Sequence, residues 1–112
     1  MADTPLIDPA TFADLQDAAG ADFVVELVNT FLEEAPGMLA ELRAAQAAGN
    51  AEAFRRAAHS LKSNSNTFGA TQLGQMARDL ELGGLVADSA PVDALQAAYE
   101  AAAAALQELT RG

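Results

Sequence analysis

Apolar residues recur three and four positions apart along most of the chain, a spacing that predicts helices rather than strands. Two stretches show it most clearly: Phe54, Ala58, Leu61, Ser65 and Phe68, and then Val92, Leu95, Tyr99, Ala102, Leu106 and Leu109. A third contains Leu73, Met76, Ala77 and Leu80. No stretch sustains the alternation of apolar and polar residues that marks a half-buried strand. The pattern therefore predicts an all-α fold.

Prolines, glycines and capping residues divide the chain into five predicted helices. Asp8 and Asn50 can cap helix starts, and Gly20, Gly49 and Gly69 follow helix ends. The predicted helices are residues 9–19, 21–48 with a kink or short break at Pro36, 51–68, 70–82, and a last helix that follows Ser89 and Pro91 and fades at Arg111 and Gly112. The four longer helices make an antiparallel up-down four-helix bundle, with the short N-terminal helix covering one end.

The composition fits one such bundle. The chain has 112 residues and is 51% hydrophobic, with five Phe, one Tyr and no Trp, so small side chains favour close packing of helices. We expect a single freestanding domain over residues 1–112 that works as a monomer. There is no cysteine, which excludes disulfides and thiol chemistry. Without a basic N-terminal region or a run of ~18 apolar residues, a cytoplasmic location and no membrane contact are expected.

Positive charge is concentrated around one residue. The formal net charge is -10, yet three of the six cations, Arg55, Arg56 and Lys62, flank the only histidine, His59. The acidic balance argues against nucleic acid as a partner. Imidazole is a nucleophile near neutral pH, and neighbouring cations favour the arrival of an anionic group. The simplest such group is a phosphoryl group.

Helical geometry directs His59 away from the core, about 140° from the centre of the apolar stripe. The outward arc of this helix also holds Glu52, Arg55, Arg56, Lys62, Ser63 and Asn66. Ser63, one turn after His59, is small and leaves the imidazole uncrowded, whereas Leu or Phe there would screen it. An ordinary solvated surface is the alternative interpretation, with the basic side chains paired to Glu52 and neighbouring acids.

The segment from His59 to Ala70, HSLKSNSNTFGA, resembles the active-site signature of histidine-containing phosphotransfer (HPt) domains. The shared features are H-x-L-K, a small residue in fifth place, further small residues, and an apolar residue before Gly-Ala. The resemblance extends to FLEEAP at residues 31–36 and to Leu73, Ala77, Leu80 and Glu81. It covers nearly the whole chain.

This resemblance implies a bundle whose exposed histidine accepts a phosphoryl group from a receiver-domain aspartyl phosphate and passes it to another receiver. His59 matches the phosphoacceptor, and Lys62 matches the lysine that steadies the phosphoryl charge. Ser63 departs from the more usual glycine but is still small. Glu81 falls where some relatives place a carboxylate or amide near the imidazole. The implied partners are response-regulator receiver domains and a hybrid histidine kinase, with Mg²⁺ on the receiver.

The residues themselves support the same role. Phosphoryl transfer requires positioning and neutralisation of oxygen charge, which Lys62 and one arginine can supply. A proton accepted by Glu81 from Nδ1 of His59 would leave Nε2 free. The chain has no G-x-x-x-x-G-K-[ST] loop, so we expect a phosphocarrier without its own ATP site rather than an enzyme. One histidine without cysteine makes no usual zinc site, and neither a cofactor nor a metal is expected.

The second helix offers a candidate docking surface. Phe23, Leu27 and Phe31 can face inward, which leaves Val24 and Val28 near the edge. Leu15 of the first helix could extend this apolar rim, which would suit a transient partner. Burial of all these residues in a wide core stripe is the alternative.

Two other functions remain open from the sequence. Thr67-Phe68-Gly69 also resembles phosphotransfer modules that a chemotaxis-type, ATP-dependent kinase phosphorylates. A helical adaptor in which His59 is never phosphorylated is the other alternative.

Overall fold

The computed structural model describes residues 6–110, which form five α-helices and, within that range, no strand. The helices are α1 (Pro9–Ala19), α2 (Ala21–Ala48), α3 (Ala51–Thr67), α4 (Thr71–Gly83) and α5 (Ala90–Leu109). The predicted all-α bundle with a short N-terminal helix is confirmed. The expected fading of the last helix at Arg111 and Gly112 lies outside the described residues, and α5 ends at Leu109.

The predicted capping residues start two of the helices. The Asp8 carboxylate accepts hydrogen bonds from the backbone N–H of Thr11 at 3.3 Å and from its hydroxyl at 2.5 Å. The Asn50 side chain accepts a hydrogen bond from the Ala53 N–H at 3.1 Å. The two bonds from the Thr11 and Ala53 N–H groups satisfy donors that have no partner inside the first turn of a helix.

Pro36 does not interrupt α2, so the predicted short break is wrong. Proline has no N–H, and the carbonyl of Leu32, four residues earlier, therefore lacks its usual helical donor. The hydroxyl of Tyr99 on α5 lies 3.4 Å from this carbonyl oxygen and donates to it. A neighbouring helix thus replaces the missing donor, and α2 continues to Ala48.

The core lies between α2, α3, α4 and α5. α3 packs against α2 on one side and α4 on the other, and α5 packs against α4 and α2. The large side chains that are almost completely buried are Phe31, Phe54, Leu42, Leu61, Leu73, Leu95, Leu106, Val24, Val28 and Val92. Phe31 contacts Phe68 and Tyr99, with ring centroids 5.3 and 5.9 Å apart. α3 and α4 are joined by a three-residue turn and pack against each other, so they are adjacent antiparallel helices.

The short helix α1 covers the end of the bundle at which α3 turns into α4. The backbone N–H of Asp8 donates to the carbonyl of Gly69 at 2.7 Å. Gly69 has φ 81°, a left-handed conformation that glycine adopts without steric cost. The expectation that α1 covers one end is confirmed.

The buried face of α2 differs from the prediction. Val24 and Val28 are fully buried, whereas the Phe23 side chain is 51% exposed. Val24 and Val28 begin a stripe that continues through Phe31, Ala35, Leu39 and Leu42 on the far side of Pro36. A stripe from Phe23 through Leu27 would meet Glu34 instead. The prediction that Phe23 faces the interior is therefore wrong, and so is the prediction that Val24 and Val28 form an apolar rim. The inward position of Phe31 is confirmed. Leu15 and Leu27 are partly buried.

Candidate functional site

The candidate site lies on the outer face of the α3–α4 pair. His59 is in the middle of α3, and its side chain is 54% exposed. The predicted outward orientation is confirmed, because the core stripe of α3 consists of Phe54, Ala57, Ala58, Leu61 and Ser65 on the opposite side. The imidazole is open to an approaching group.

Glu81 of α4 binds one ring nitrogen of His59. Nδ1 lies 2.8 Å from Oε2 of Glu81. An ionised carboxylate can only accept hydrogen bonds, so Nδ1 carries the hydrogen and donates it. In a neutral imidazole the other nitrogen, Nε2, then holds a free lone pair. The contact therefore fixes the ring orientation and, in the neutral ring, leaves Nε2 without a hydrogen.

Lys62 contacts the same carboxylate. Its Nζ lies 2.9 Å from Oε1 of Glu81, whose side chain is only 12% exposed. This contact is an ion pair. The ammonium of Lys62 lowers the pKa of Glu81 below its ordinary 4.5, burial opposes this, and the bond from His59 lowers the pKa further. Glu81 is thus ionised near neutral pH.

The two arginines before His59 pair with an acid on their own helix. Arg55 Nη2 lies 2.6 Å from Oε1 of Glu52, and Arg56 Nε lies 3.9 Å from the same oxygen. All three side chains are at least half exposed. The sequence-based alternative, in which basic residues pair with Glu52, is correct for these two. The structure thus brings together His59, Lys62 and Glu81 and leaves the arginines one turn away.

Ser63 lies one turn after His59 and is exposed. Its small side chain adds little bulk on the C-terminal side of the imidazole.

A second contact fixes how α3 and α4 are aligned. Asn66, two turns after His59, lies against Gly74, and a Cβ at residue 74 would collide with Oδ1 of Asn66. The two helices therefore approach closely both at His59–Glu81 and at Asn66–Gly74. Since the helices are antiparallel, the residues midway between these contacts also face each other.

Arg78 is a residue that the sequence analysis missed. It is exposed on α4, and it is the one Lys or Arg within residues 6–110 that has neither a hydrogen bond nor an ion pair. A signal was available in the sequence, because Arg78 precedes Glu81 by three residues and so shares its side of the helix. Arg78 is 19 residues from His59 along the chain, so it is not among the cations that flank the imidazole in sequence.

Two kinds of feature are absent from the described part of the chain. None of its helices is sufficiently long and apolar to span a bilayer. None of its His, Asp and Glu side chains form a group of three or more that could hold a metal ion.

Comparisons with known proteins give a family and one similar solved structure. The family model described as Hpt domain matches residues 26–105, which include every residue of the candidate site. No curated protein matches the chain. A solved structure that is similar is histidine-containing phosphotransfer protein B (HptB) from Pseudomonas aeruginosa PAO1, with 30% sequence identity, a TM-score of 0.76, and coverage of 97% of this chain and 94% of that one.

Proposed function

Because the chain belongs to the Hpt domain family and is a histidine phosphotransfer protein of a phosphorelay, we propose that His59 is the residue that carries the phosphoryl group. The observation that carries this proposal is the geometry of the chain's single imidazole. It is half exposed, and Nδ1 is bound to a carboxylate. Only Nε2 is then available for a bond to phosphorus.

The transfer step needs no proton movement through solvent. The lone pair of Nε2 attacks the phosphorus of an aspartyl phosphate on a receiver domain, and a P–N bond forms. The P–O bond to the aspartate breaks, and its electron pair remains on the released carboxylate. The imidazole keeps the Nδ1 hydrogen and gains positive charge, which the carboxylate of Glu81 offsets. Transfer to a second receiver reverses these steps.

Glu81 and Lys62 have complementary roles in this proposal. Glu81 is a positioning residue that holds the tautomer and the ring orientation. Lys62 offsets the negative charge of Glu81, which would otherwise repel a phosphoryl group arriving at the same ring. Ser63 leaves space on the C-terminal side, and Arg55 and Arg56 add positive potential one turn away, reduced by Glu52.

The partners follow from this chemistry. The donor and the acceptor are receiver domains, the Mg²⁺ that transfer requires belongs to the receiver, and a hybrid histidine kinase can supply the first phosphoryl group. The chain is a carrier without an ATP site or a cofactor of its own, and it acts in the cytoplasm as a monomer. Neither a kinase-dependent module nor an unphosphorylated adaptor is favoured by the family findings.

The test is transfer from a purified receiver that carries a radiolabelled aspartyl phosphate. We expect label to move to the wild-type chain and to be lost in acid but retained in base, as a phosphoramidate requires. His59→Gln keeps the size and polarity of the side chain but removes the nucleophile, and it should accept no label.

Two results would contradict the proposal. One is a His59→Gln protein that still accepts label from the receiver. The other is label that appears on the wild type only with a kinase and ATP, without any receiver, which would support the kinase-dependent alternative.

A further inference from the structure

The free positive charge of the site is on α4 rather than beside His59 on α3. Lys62 is bound to Glu81, and Arg55 and Arg56 share Glu52. Within residues 6–110, Arg78 is the cation that has no carboxylate or other partner. It is therefore the group that can bind an incoming anion without first breaking an ion pair.

The alignment of the two helices places Arg78 at the site. Arg78 is three residues before Glu81 and four residues after Gly74. On α3, Lys62 is three residues after His59 and four residues before Asn66. Because Glu81 contacts His59 and Gly74 contacts Asn66, Arg78 lies across from Lys62, one helical turn along the axis from the imidazole. Arg78 and Glu81, which are three residues apart on α4, have Cβ atoms about 5–6 Å apart.

The orientation of α4 directs Arg78 outward. Leu73, Ala77 and Leu80 face the core, and Glu81 faces α3. At 100° per residue, Arg78 projects about 60° from Glu81 on the side away from the core. Its long side chain thus lies on the same outer face as the exposed ring of His59. Lys62, also a cation, turns to Glu81 rather than to Arg78.

Resting on the proposed phosphotransfer function, we propose that Arg78 binds oxygen atoms of the phosphoryl group at Nε2 of His59. A phosphoryl group has three charged oxygens, and the carboxylate of Glu81 already lies against the same ring. Lys62 offsets that carboxylate, so the phosphoryl charge needs another cation. A guanidinium can give two parallel hydrogen bonds to phosphate oxygens, which a single ammonium cannot match.

The test compares two phosphoryl donors. One is a phosphorylated receiver, and the other is potassium phosphoramidate, a small molecule from which ammonia leaves as Nε2 bonds to phosphorus. Labelling rates are measured for the wild type, Arg78→Ala and Arg78→Lys, with circular dichroism to verify folding. Arg43→Gln is the control for loss of one positive charge, because the partners of Arg43, Asp93 and Gln96, are on α5 rather than on α3 or α4.

We expect Arg78→Ala to slow labelling by about tenfold to a hundredfold with both donors, the effect of losing a charge-assisted bond. Arg78→Lys should recover part of the rate, and Arg43→Gln should label like the wild type. Phosphoramidate brings no protein surface, so slowing with this donor indicates contact with the phosphoryl group itself.

Other outcomes overturn the inference. Slowing with the receiver alone would mean that Arg78 binds acidic residues of the partner. Equal rates for Arg78→Ala and the wild type with both donors would mean that it has no part in the step. If the wild type accepts no label from either donor, or His59→Gln accepts label, the proposed function itself is wrong.

Discussion

The continuity of α2 through Pro36 depends on a hydroxyl group from α5, and this can be tested with two substitutions. Proline deprives the Leu32 carbonyl of its helical N–H donor, and the Tyr99 hydroxyl replaces it at 3.4 Å. Tyr99→Phe removes only the hydroxyl. Pro36→Ala restores the N–H within the helix. The second substitution should therefore make the hydroxyl dispensable.

The expected magnitude follows from the geometry. An ordinary hydrogen bond contributes about 0.5–1.5 kcal/mol net, and an O–H···O distance of 3.4 Å exceeds the usual range, which favours the lower end. Tyr99 is almost completely buried, but its hydrogen bond to the Leu32 carbonyl is only partly buried, so water can replace part of the lost donor. We expect Tyr99→Phe to reduce the free energy of unfolding by about 0.5–1 kcal/mol in the wild type and by close to zero in Pro36→Ala.

The assay is urea denaturation of the four proteins of a double-mutant cycle, followed by circular dichroism. The cycle yields the coupling free energy between residues 36 and 99 directly. If Tyr99→Phe costs the same free energy in both backgrounds, the hydroxyl does not replace the missing helical donor and the explanation for the unbroken helix is wrong.

Three further predictions concern the site and the turn that forms it. Gly69→Ala should lower the free energy of unfolding by about 1–2 kcal/mol, because Gly69 has φ 81° and a Cβ there would lie 3.0 Å from the Asp8 carbonyl oxygen. Gly37 lies in open space within a helix, so the control Gly37→Ala should raise the free energy of unfolding by about 0.5–1 kcal/mol. Urea midpoints that shift in the same direction for both variants would contradict this prediction. Ser63→Phe should slow phosphoryl transfer about tenfold or more by obstructing Nε2, while Ser63→Gly should transfer at the wild-type rate. Equal transfer rates for the two variants would show that residue 63 does not obstruct Nε2. The pKa of Glu81 is lowered from 4.5, so its ionised form stabilises the fold above pH 4.5, and this stabilisation is lost as the pH falls through the lowered pKa. The difference in free energy of unfolding between the wild type and Glu81→Gln should therefore shrink in that acid range. A difference that does not depend on pH would count against the ion pairs.

Local features of the sequence were sufficient for the helices and for His59. Caps such as Asp8 and Asn50 and the terminating glycines act within a few residues, and the structure retains them. His59 was identifiable because an outward imidazole follows from helical periodicity alone, without knowledge of the neighbouring helices.

Features that depend on packing between helices were not predictable in this way. Which face of α2 is buried is decided by a stripe that continues past Pro36, where the sequence had suggested a kink or a short break. Lys62 was expected to steady the phosphoryl charge, and its ion pair with Glu81 of α4 was not foreseen. Arg78 becomes part of the site only when α4 lies against α3. Glu81 itself was suggested by the family resemblance, since 22 residues separate it from His59.

The central claim is that Nε2 of His59 carries the phosphoryl group while Glu81 holds Nδ1. The chain contains a single histidine, so a protein labelled with ¹⁵N-histidine gives the signals of one imidazole. After phosphorylation by a receiver, we expect the ³¹P coupling to appear on Nε2 with the hydrogen retained on Nδ1. A phosphoryl group on Nδ1, or an imidazole spectrum that does not change although the receiver loses its phosphate to the chain, would contradict the account.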